Sequence, residues 1–392
     1  MEIYMSYITE YDKTYVAGTY GRFPVEIERG EGSVLYGTDG KRYIDMGTGI
    51  AVNTFGISDP VWVEALTRQL SLVQHTSNLY YTEPCAALAK TLCERTGMKK
   101  VFFGNSGAEA NECAIKVARK WGEENKGAEY STIITLKNSF HGRTVTTLSA
   151  TGQDHYHEHF GPMTPGFVHA EAGKLDEVES LLKTHKVCAV MFECVQGEGG
   201  VIPLSRDFVN GLVSLAKKYD VLLAVDEVQT GNGRCGELYC YMNYGITPDI
   251  VSTAKGLGGG LPIGAALLGE RVEDVLRPGD HGSTYGGNPV CCAGALSVIN
   301  RIDDELLADV KKKNEYIIEA LSGKSGVVSV SGMGLMLGIK TVKAAKDVVS
   351  ACLEKGVLCL TAKDKVRLLP ALNIPMDILD EALEIIVSAC AE

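Results

Sequence analysis

No apolar run in this 392-residue chain approaches the roughly 18 residues that a membrane-spanning helix needs, so a spanning segment is not expected. The first stretch, Met1 to Tyr20, lacks the basic start and apolar core of an export signal. Basic residues are the minority, 38 Lys and Arg against 49 Asp and Glu for a formal net charge of -11, and nowhere do they cluster as a phosphate-tracking surface requires. Nucleic acid and membrane are therefore not expected partners. The twelve cysteines, scattered from Cys85 to Cys390, contain no C-x-x-C pair, which speaks against a disulfide scaffold and for reduced thiols in a cytoplasmic protein. His155, His157 and His159 around Glu158 lack further ligands at helical or C-x-x-C spacing, so no metal site is expected. Repeats and low-complexity segments are missing as well.

What remains is ordinary enzyme material: 45% hydrophobic and 22% charged residues, enough for two domains at roughly 150 residues each. From Phe23 to Asp45 apolar and polar residues alternate around Gly30-Glu31-Gly32 and Thr38-Asp39-Gly40-Lys41, the pattern of a small antiparallel sheet with an Asp-Gly turn. From Pro60 to Gly326 short apolar runs alternate with helical patterns. Lys100 to Phe103, Thr132 to Leu136, Val187 to Glu193, Leu222 to Val225, Ile250 to Thr253 and Gly264 to Leu268 read as strands. Ala108 to Trp121, Lys174 to Thr184 and Asp207 to Tyr219 read as helices between them. Buried strands separated by helices imply a mostly parallel α/β sheet, with ligands at the carboxyl ends of its strands. After Asn288 a long helical region to Leu321 precedes a strand, helix, strand and helix, which suggests a second α+β unit.

Three strand ends carry chemistry. Gly104-Asn105-Ser106-Gly107-Ala108-Glu109 turns into a helix, and free N–H groups at a helix start bind phosphate, although Ser106 with Glu109 is equally a capping box. Leu223-Ala224-Val225-Asp226 ends in an acid that could hold a protonated pyridine nitrogen or simply cap a turn. Asp249 to Ala254 leads into Lys255 and Gly256-Leu257-Gly258-Gly259-Gly260, where a lysine can have a lowered pKa and form a Schiff base, or merely end a strand in solvent. The three together, in this order and with 29 positions between Asp226 and Lys255, are far more specific than any one.

That combination resembles the class III aminotransferases of pyridoxal phosphate fold type I, from Tyr20-Gly21-Arg22-Phe23-Pro24-Val25 to Val366-Arg367-Leu368-Leu369-Pro370. The resemblance implies a large domain with a mostly parallel seven-stranded sheet covered by helices, residues 51–289. A smaller α+β domain would draw on residues 1–50 and 290–392. The cofactor would be pyridoxal 5'-phosphate. Ser106, Gly107 and Ala108 would bind its phosphate, Phe140 would stack on its ring, and Asp226 would pair with the ring nitrogen. Gln229 would contact the ring hydroxyl and Lys255 would carry the cofactor covalently. Thr284 would reach the phosphate of a neighbouring subunit in a homodimer with shared sites.

Gly49-Ile50-Ala51-Val52-Asn53, His75 to Tyr81 and Gly334 to Ile339 are most similar to the branch whose amino donor is N2-acetylornithine and whose acceptor is 2-oxoglutarate, in arginine biosynthesis. Ornithine, succinyl-diaminopimelate and 4-aminobutyrate are alternative donors, and an aminomutase is a rival from another enzyme class. By the same resemblance Arg143 would grip the donor carboxylate, with Ser283 and Tyr20 nearby, and Glu198 would mask and unmask Arg367 between half-reactions. The chain departs from the family's frequent pattern at Gly56-Ile57-Ser58-Asp59-Pro60, at Glu193-Cys194 and at Ala371, none of which removes a reacting group.

Overall fold

A strand that is apolar on both sides must be covered on both sides, and the central sheet of the computed structural model, which describes residues 6–392, meets that demand. Its strands are β1 (Lys100–Gly104), β2 (Thr132–Leu136), β3 (Phe167–Ala170), β4 (Val187–Phe192), β5 (Leu222–Asp226), β6 (Ile250–Thr253) and β7 (Gly264–Leu268). They lie in the order β1-β7-β6-β5-β4-β2-β3. β7 runs antiparallel to both of its neighbours and every other pairing is parallel. The edge strand β3 is the one that sequence reading did not separate from its surroundings.

Alternation inside the apolar runs divides the strand residues between two cores. Leu222, Ala224 and Ile250 face the helix Gly107–Lys126 with Cys113, Val117 and Trp121. Leu223, Val225 and Val251 face the other way, with Val178 and Leu182 of the helix Leu175–Thr184 and Phe208 and Leu212 of the helix Arg206–Tyr219. A period of two within a continuous hydrophobic run is what a doubly covered strand requires.

A further core joins the two ends of the chain. The antiparallel strands Ile27–Glu31, Val34–Gly37 and Arg42–Asp45 are extended by Val357–Leu358, which pairs in parallel with Arg42–Asp45. Ile44 and Met46 are buried with Ile317, Leu337, Val348 and Ile386. A second antiparallel sheet contains Val327–Met333, Met336–Thr341, Lys365–Leu368 and Leu360–Ala362. The helical region after Asn288 is two helices, Pro289–Ile299 and Asp304–Leu321, the second capped by the Asp303 side chain accepting from the Leu306 N–H. Among the described residues no helix is long and apolar enough to cross a membrane.

Between the N-terminal sheet and the large sheet the chain makes a left-handed turn, with positive φ at Thr48, Gly49, Ile50 and Ala51. L-residues resist this conformation. It is held by the Thr48 hydroxyl donating to the Leu369 carbonyl at 2.6 Å and by the Asp45 carboxylate accepting the Gly47 and Thr48 N–H groups. The departure at Asp59 has a structural use: its carboxylate caps the helix Pro60–Leu70 through the Trp62 N–H and takes a two-pronged ion pair from Arg301 at 2.8 and 3.0 Å.

Because β7 is antiparallel, its first residue stands at the same sheet edge as the last residues of the parallel strands. Gly264 therefore lies against the turn after β1, where an added Cβ would sit 2.1 Å from the Ser106 carbonyl oxygen. Backbone cannot give way as a flexible side chain can. Gly264→Ala is expected to destabilise the fold by about 1–3 kcal/mol through overpacking, read as a lower urea midpoint at unchanged slope.

Candidate active site

The carboxyl edge of the sheet opens into a cavity of about 480 Å³. Its walls include Ser106, Gly107, Ala108, Phe140, Arg143, Asp226, Gln229 and Lys255, so eight of the expected site residues come together. Glu198 and Arg367 join them through Gln229, whose side-chain N–H donates to Glu198 at 3.3 Å and whose oxygen accepts from Arg367 at 3.2 Å.

Asp226 is the last residue of β5 and is 3% exposed. Its Oδ2 accepts from Asn111 Nδ2 and from His141 Nδ1, both at 2.8 Å, and its Oδ1 accepts from the Val228 N–H at 3.0 Å. A carboxylate only accepts, so the His141 hydrogen is on Nδ1. Burial works to lower the His141 pKa, but the hydrogen bond and charge of Asp226, with the charge of Glu193, outweigh it and leave the imidazole above its ordinary value. His141 and Asn111 were not expected from sequence as partners of the acid. Asn111 lies one turn beyond Gly107 on the same helix, and i, i+4 spacing from a site residue is the signal that could have found it.

Lys255 opens a short 3-10 turn after β6, with φ of +44°, a region that side chains other than glycine's seldom occupy. Three contacts hold that turn: the Thr54 hydroxyl donates to the Gly256 carbonyl at 2.8 Å, Asn232 Nδ2 to the Ala254 carbonyl at 3.2 Å, and Trp62 Nε1 to the Gly258 carbonyl at 3.0 Å. The glycines that follow are required by contact, since a Cβ on Gly258 would lie 2.1 Å from the Leu261 carbonyl. Burial pushes the Lys255 amine below its ordinary pKa, and Glu198, Asp226 and Glu193 pull it back against Arg367.

Ser106 caps the helix Gly107–Lys126, its hydroxyl accepting the Glu109 N–H at 3.1 Å, while the Glu109 carboxylate accepts the Asn105 N–H at 2.9 Å and the Ser283 hydroxyl at 2.8 Å. The N–H groups of Gly107 and Ala108 precede the first intrahelical bond, which Ala110 makes to Ser106. A Cβ at Gly107 would meet Val228 at 2.7 Å, so the cavity floor is closed around that glycine. Arg143 is exposed, its guanidinium 4.4 Å from the Tyr156 ring centre and 5.5 Å from that of Phe140.

Glu198 and Arg367 form an ion pair at 2.5 Å, with Arg367 only 3% exposed. Burial alone raises the Glu198 carboxyl, but the charge and hydrogen bond of Arg367 outweigh it and hold it below its ordinary value.

Three expected residues lie elsewhere. Ser283 is committed to Glu109, and Thr284 is exposed beside it. Tyr20 is exposed on a separate cavity of about 500 Å³ lined also by Arg22, Ile50, Asn53 and Leu353. That cavity is slightly larger but carries none of the titrating groups around Lys255. In the His155–His159 loop, His157 Nε2 bonds to the Leu148 and Thr151 carbonyls at 2.9 and 2.8 Å.

A sheet of this order with a lysine and an acid at adjacent strand ends suits a pyridoxal phosphate-dependent transferase, and the chain belongs to the aminotransferase class-III family, whose model it matches over residues 15–390. It is 47% identical to the acetylornithine aminotransferase of Haemophilus ducreyi over 387 residues, covering 98% of each chain. It is 45% identical to the succinylornithine transaminase of Salmonella newport, covering 92% of this chain and 91% of that one. Among solved structures, an ornithine aminotransferase of Toxoplasma gondii with partial occupancy of PLP at its active site superposes with a TM-score of 0.93 at 31% identity, over 98% of this chain and 94% of that one.

Beside Asp226, Glu227 is fully enclosed, accepting from the Thr230 hydroxyl at 2.6 Å and the N–H groups of Cys240 and Tyr241 at 2.9 and 2.7 Å. Burial raises its pKa from 4.5 to about 7 despite these bonds. The folded chain then holds a proton that the unfolded chain releases, so this contribution to stability is present below about pH 4.5 and is lost as pH rises through about 7. Glu227→Gln should flatten the fall in unfolding free energy across that window, measured by urea titration at several pH values.

Proposed function

We propose that this chain transfers the terminal amino group of N2-acetylornithine to 2-oxoglutarate, giving N-acetylglutamate semialdehyde and glutamate. The observation that carries this reading is the Glu198–Arg367 pair, its arginine buried, reaching the Lys255 cavity through Gln229. A donor that reacts at its far end and an acceptor that reacts beside its carboxylate need an arginine covered for one and open for the other. The names of the relatives support an N-acylated ornithine as donor. Succinylornithine is the second reading, favoured by the Salmonella newport relative.

The residues present fit pyridoxal phosphate. Gly107 and Ala108 offer unpaired helix-start N–H groups to a phosphate, and the closed floor at Gly107 excludes a side chain there. When bound, the cofactor supplies an aldehyde that takes up the amino group and a pyridine ring that accepts the electron pair released at the substrate carbon. Asp226, held by His141 and Asn111, is suited to keep a ring nitrogen protonated. Phe140 would cover the ring and Gln229 would serve its hydroxyl. The Lys255 amine, with its lowered pKa, takes the proton from the substrate carbon as base and returns one as acid. Arg143 holds the donor carboxylate at the exposed mouth of the cavity.

The reading includes a homodimer. Asn78 donates to the Ser283 and Gly286 carbonyls at 3.2 and 2.9 Å, and Asn288 to the Gln74 carbonyl at 2.9 Å, so two segments form one surface. Leu79, Tyr80, Tyr81 and Tyr285 are exposed on them beside Thr284, an apolar face that a second copy would cover while Thr284 completes its phosphate site. All twelve cysteines are free thiols, which supports a reducing compartment such as the cytoplasm.

The purified chain loaded with pyridoxal phosphate should form glutamate from 2-oxoglutarate with N2-acetylornithine as the preferred donor in an amine screen. Lys255→Ala should lower that rate by about 10²–10⁴-fold. Preference for an unrelated amine, or turnover without any 2-oxo acid, would replace the reading.

Single-turnover measurements separate the two halves. Glu198→Ala should shift the first half-reaction from acetylornithine toward glutamate, because the uncovered Arg367 attracts α-carboxylates. Arg367→Ala should mainly slow the 2-oxoglutarate half. Equal losses in both halves for each variant would make the pair structural.

A further inference from the structure

Glu193 follows β4 at the same sheet edge as Asp226 and is buried in the cavity wall. Nothing in the chemistry proposed above uses it. Yet its two oxygens are divided between two loops: Oε2 accepts the Phe140 N–H at 2.9 Å and Oε1 accepts the Gly197 N–H at 3.3 Å. The first loop carries the ring-covering Phe140. The second is the turn that presents Glu198.

The same two loops meet again where Gln196 Nε2 donates to the Lys137 carbonyl at 2.8 Å. Gly197 is seated directly on Gln229, since a Cβ there would lie 2.8 Å from the Gln229 amide. Gln229 in turn bonds both Glu198 and Arg367. One connected set therefore runs from the Phe140 backbone through Glu193 and Gly197 to the masked arginine. The groups around Glu193 are His141, Asp226 and Lys255, so its charge also belongs to the field that the cofactor site experiences.

We infer that Glu193 is a positioning residue that ties the Phe140 cover of the cofactor to the turn holding Glu198 over Arg367, so that cofactor seating and donor selection depend on one carboxyl group. This rests on the reading of Glu198 and Arg367 given under Proposed function. A glutamine cannot replace it: the amide has one acceptor oxygen, and its NH₂ would face one of the two N–H donors. A buried donor left without an acceptor weakens whatever it positioned.

The test uses the full chain with pyridoxal phosphate and two readouts. Cofactor affinity is titrated by absorbance and by quenching of tryptophan fluorescence in the apo chain, without substrate. Donor choice is the ratio of single-turnover rates with acetylornithine and with glutamate. Glu193→Gln should weaken cofactor binding by about tenfold and move the ratio toward glutamate by about fivefold, the scale of one unsatisfied buried donor. Glu193→Asp, which keeps the carboxylate on a shorter arm, should give smaller changes in the same directions and serves if the glutamine variant folds poorly.

A lowered melting temperature with both readouts at the parent's values overturns the inference and makes Glu193 structural. Weaker cofactor binding with an unchanged ratio overturns the coupling. Glu198→Ala is the control: if it leaves the ratio unchanged, the masking reading itself is wrong, whereas a shift with Glu198→Ala and none with Glu193→Gln removes the Glu193 role alone.

Discussion

A carboxylate nearly sealed from water at the end of a parallel strand is the constraint on which the site depends. Asp226 ends an otherwise apolar strand, and an uncompensated charge there would cost several kcal/mol or neutralise itself. His141, Asn111 and the Val228 N–H surround it instead. These partners come from three different parts of the chain, and two of them are themselves tied down: Asn111 also donates to the His141 carbonyl at 2.7 Å, and the His141 N–H donates to the Thr151 hydroxyl at 2.9 Å. The acid is thereby oriented as well as paired.

The surrounding charges follow from that arrangement. Lys255, Glu193, Glu198 and Arg367 stand within one field, and burial shifts each carboxyl upward and the lysine downward unless a partner of opposite sign intervenes. Glu198 has such a partner in Arg367 and ends below its ordinary value. Glu193 has backbone donors and a neighbouring acid, and ends near 7. Two glutamates five residues apart are thus shifted in opposite directions for reasons of surroundings alone. A net charge of -11 opposes anions at a distance, and Arg143 and Arg367 are local positive groups that work against it.

Strand direction converts these charges into a site. β5 and β6 run parallel with Asp226 opposite Ser252, so the acid and Lys255 emerge at one edge, while antiparallel β7 returns Gly264 to the helix start at Ser106. Arg367 arrives from a different sheet, built by the C-terminal part of the chain. The Glu198–Arg367 ion pair is consequently a contact between the two sheet systems.

Much of this was legible beforehand because it is written in local pattern. Short apolar runs marked six of the seven central strands, and Ser106, Asp226 and Lys255 stood out as polar residues at their ends. The edge strand Phe167–Ala170 was hidden, since a half-buried strand carries too few apolar residues to stand apart, and the helical stretch after Asn288 concealed a break at residues 300–303 that Asp303 capping creates. His141, Asn111 and Glu193 became visible as site residues only in three dimensions. Their chemistry depends on distances across the sheet edge, between residues 30 to 115 positions apart in the chain for the bonds of Asn111. Likewise Tyr20, Ser283 and Thr284 lie outside the Lys255 cavity of one chain, a matter of packing that no local motif encodes. Sequence determined which strands end in polar and titratable groups, because apolar runs and turn chemistry are local. Tertiary structure alone decided which buried groups meet those ends and what charge they hold, because desolvation and pairing act through space.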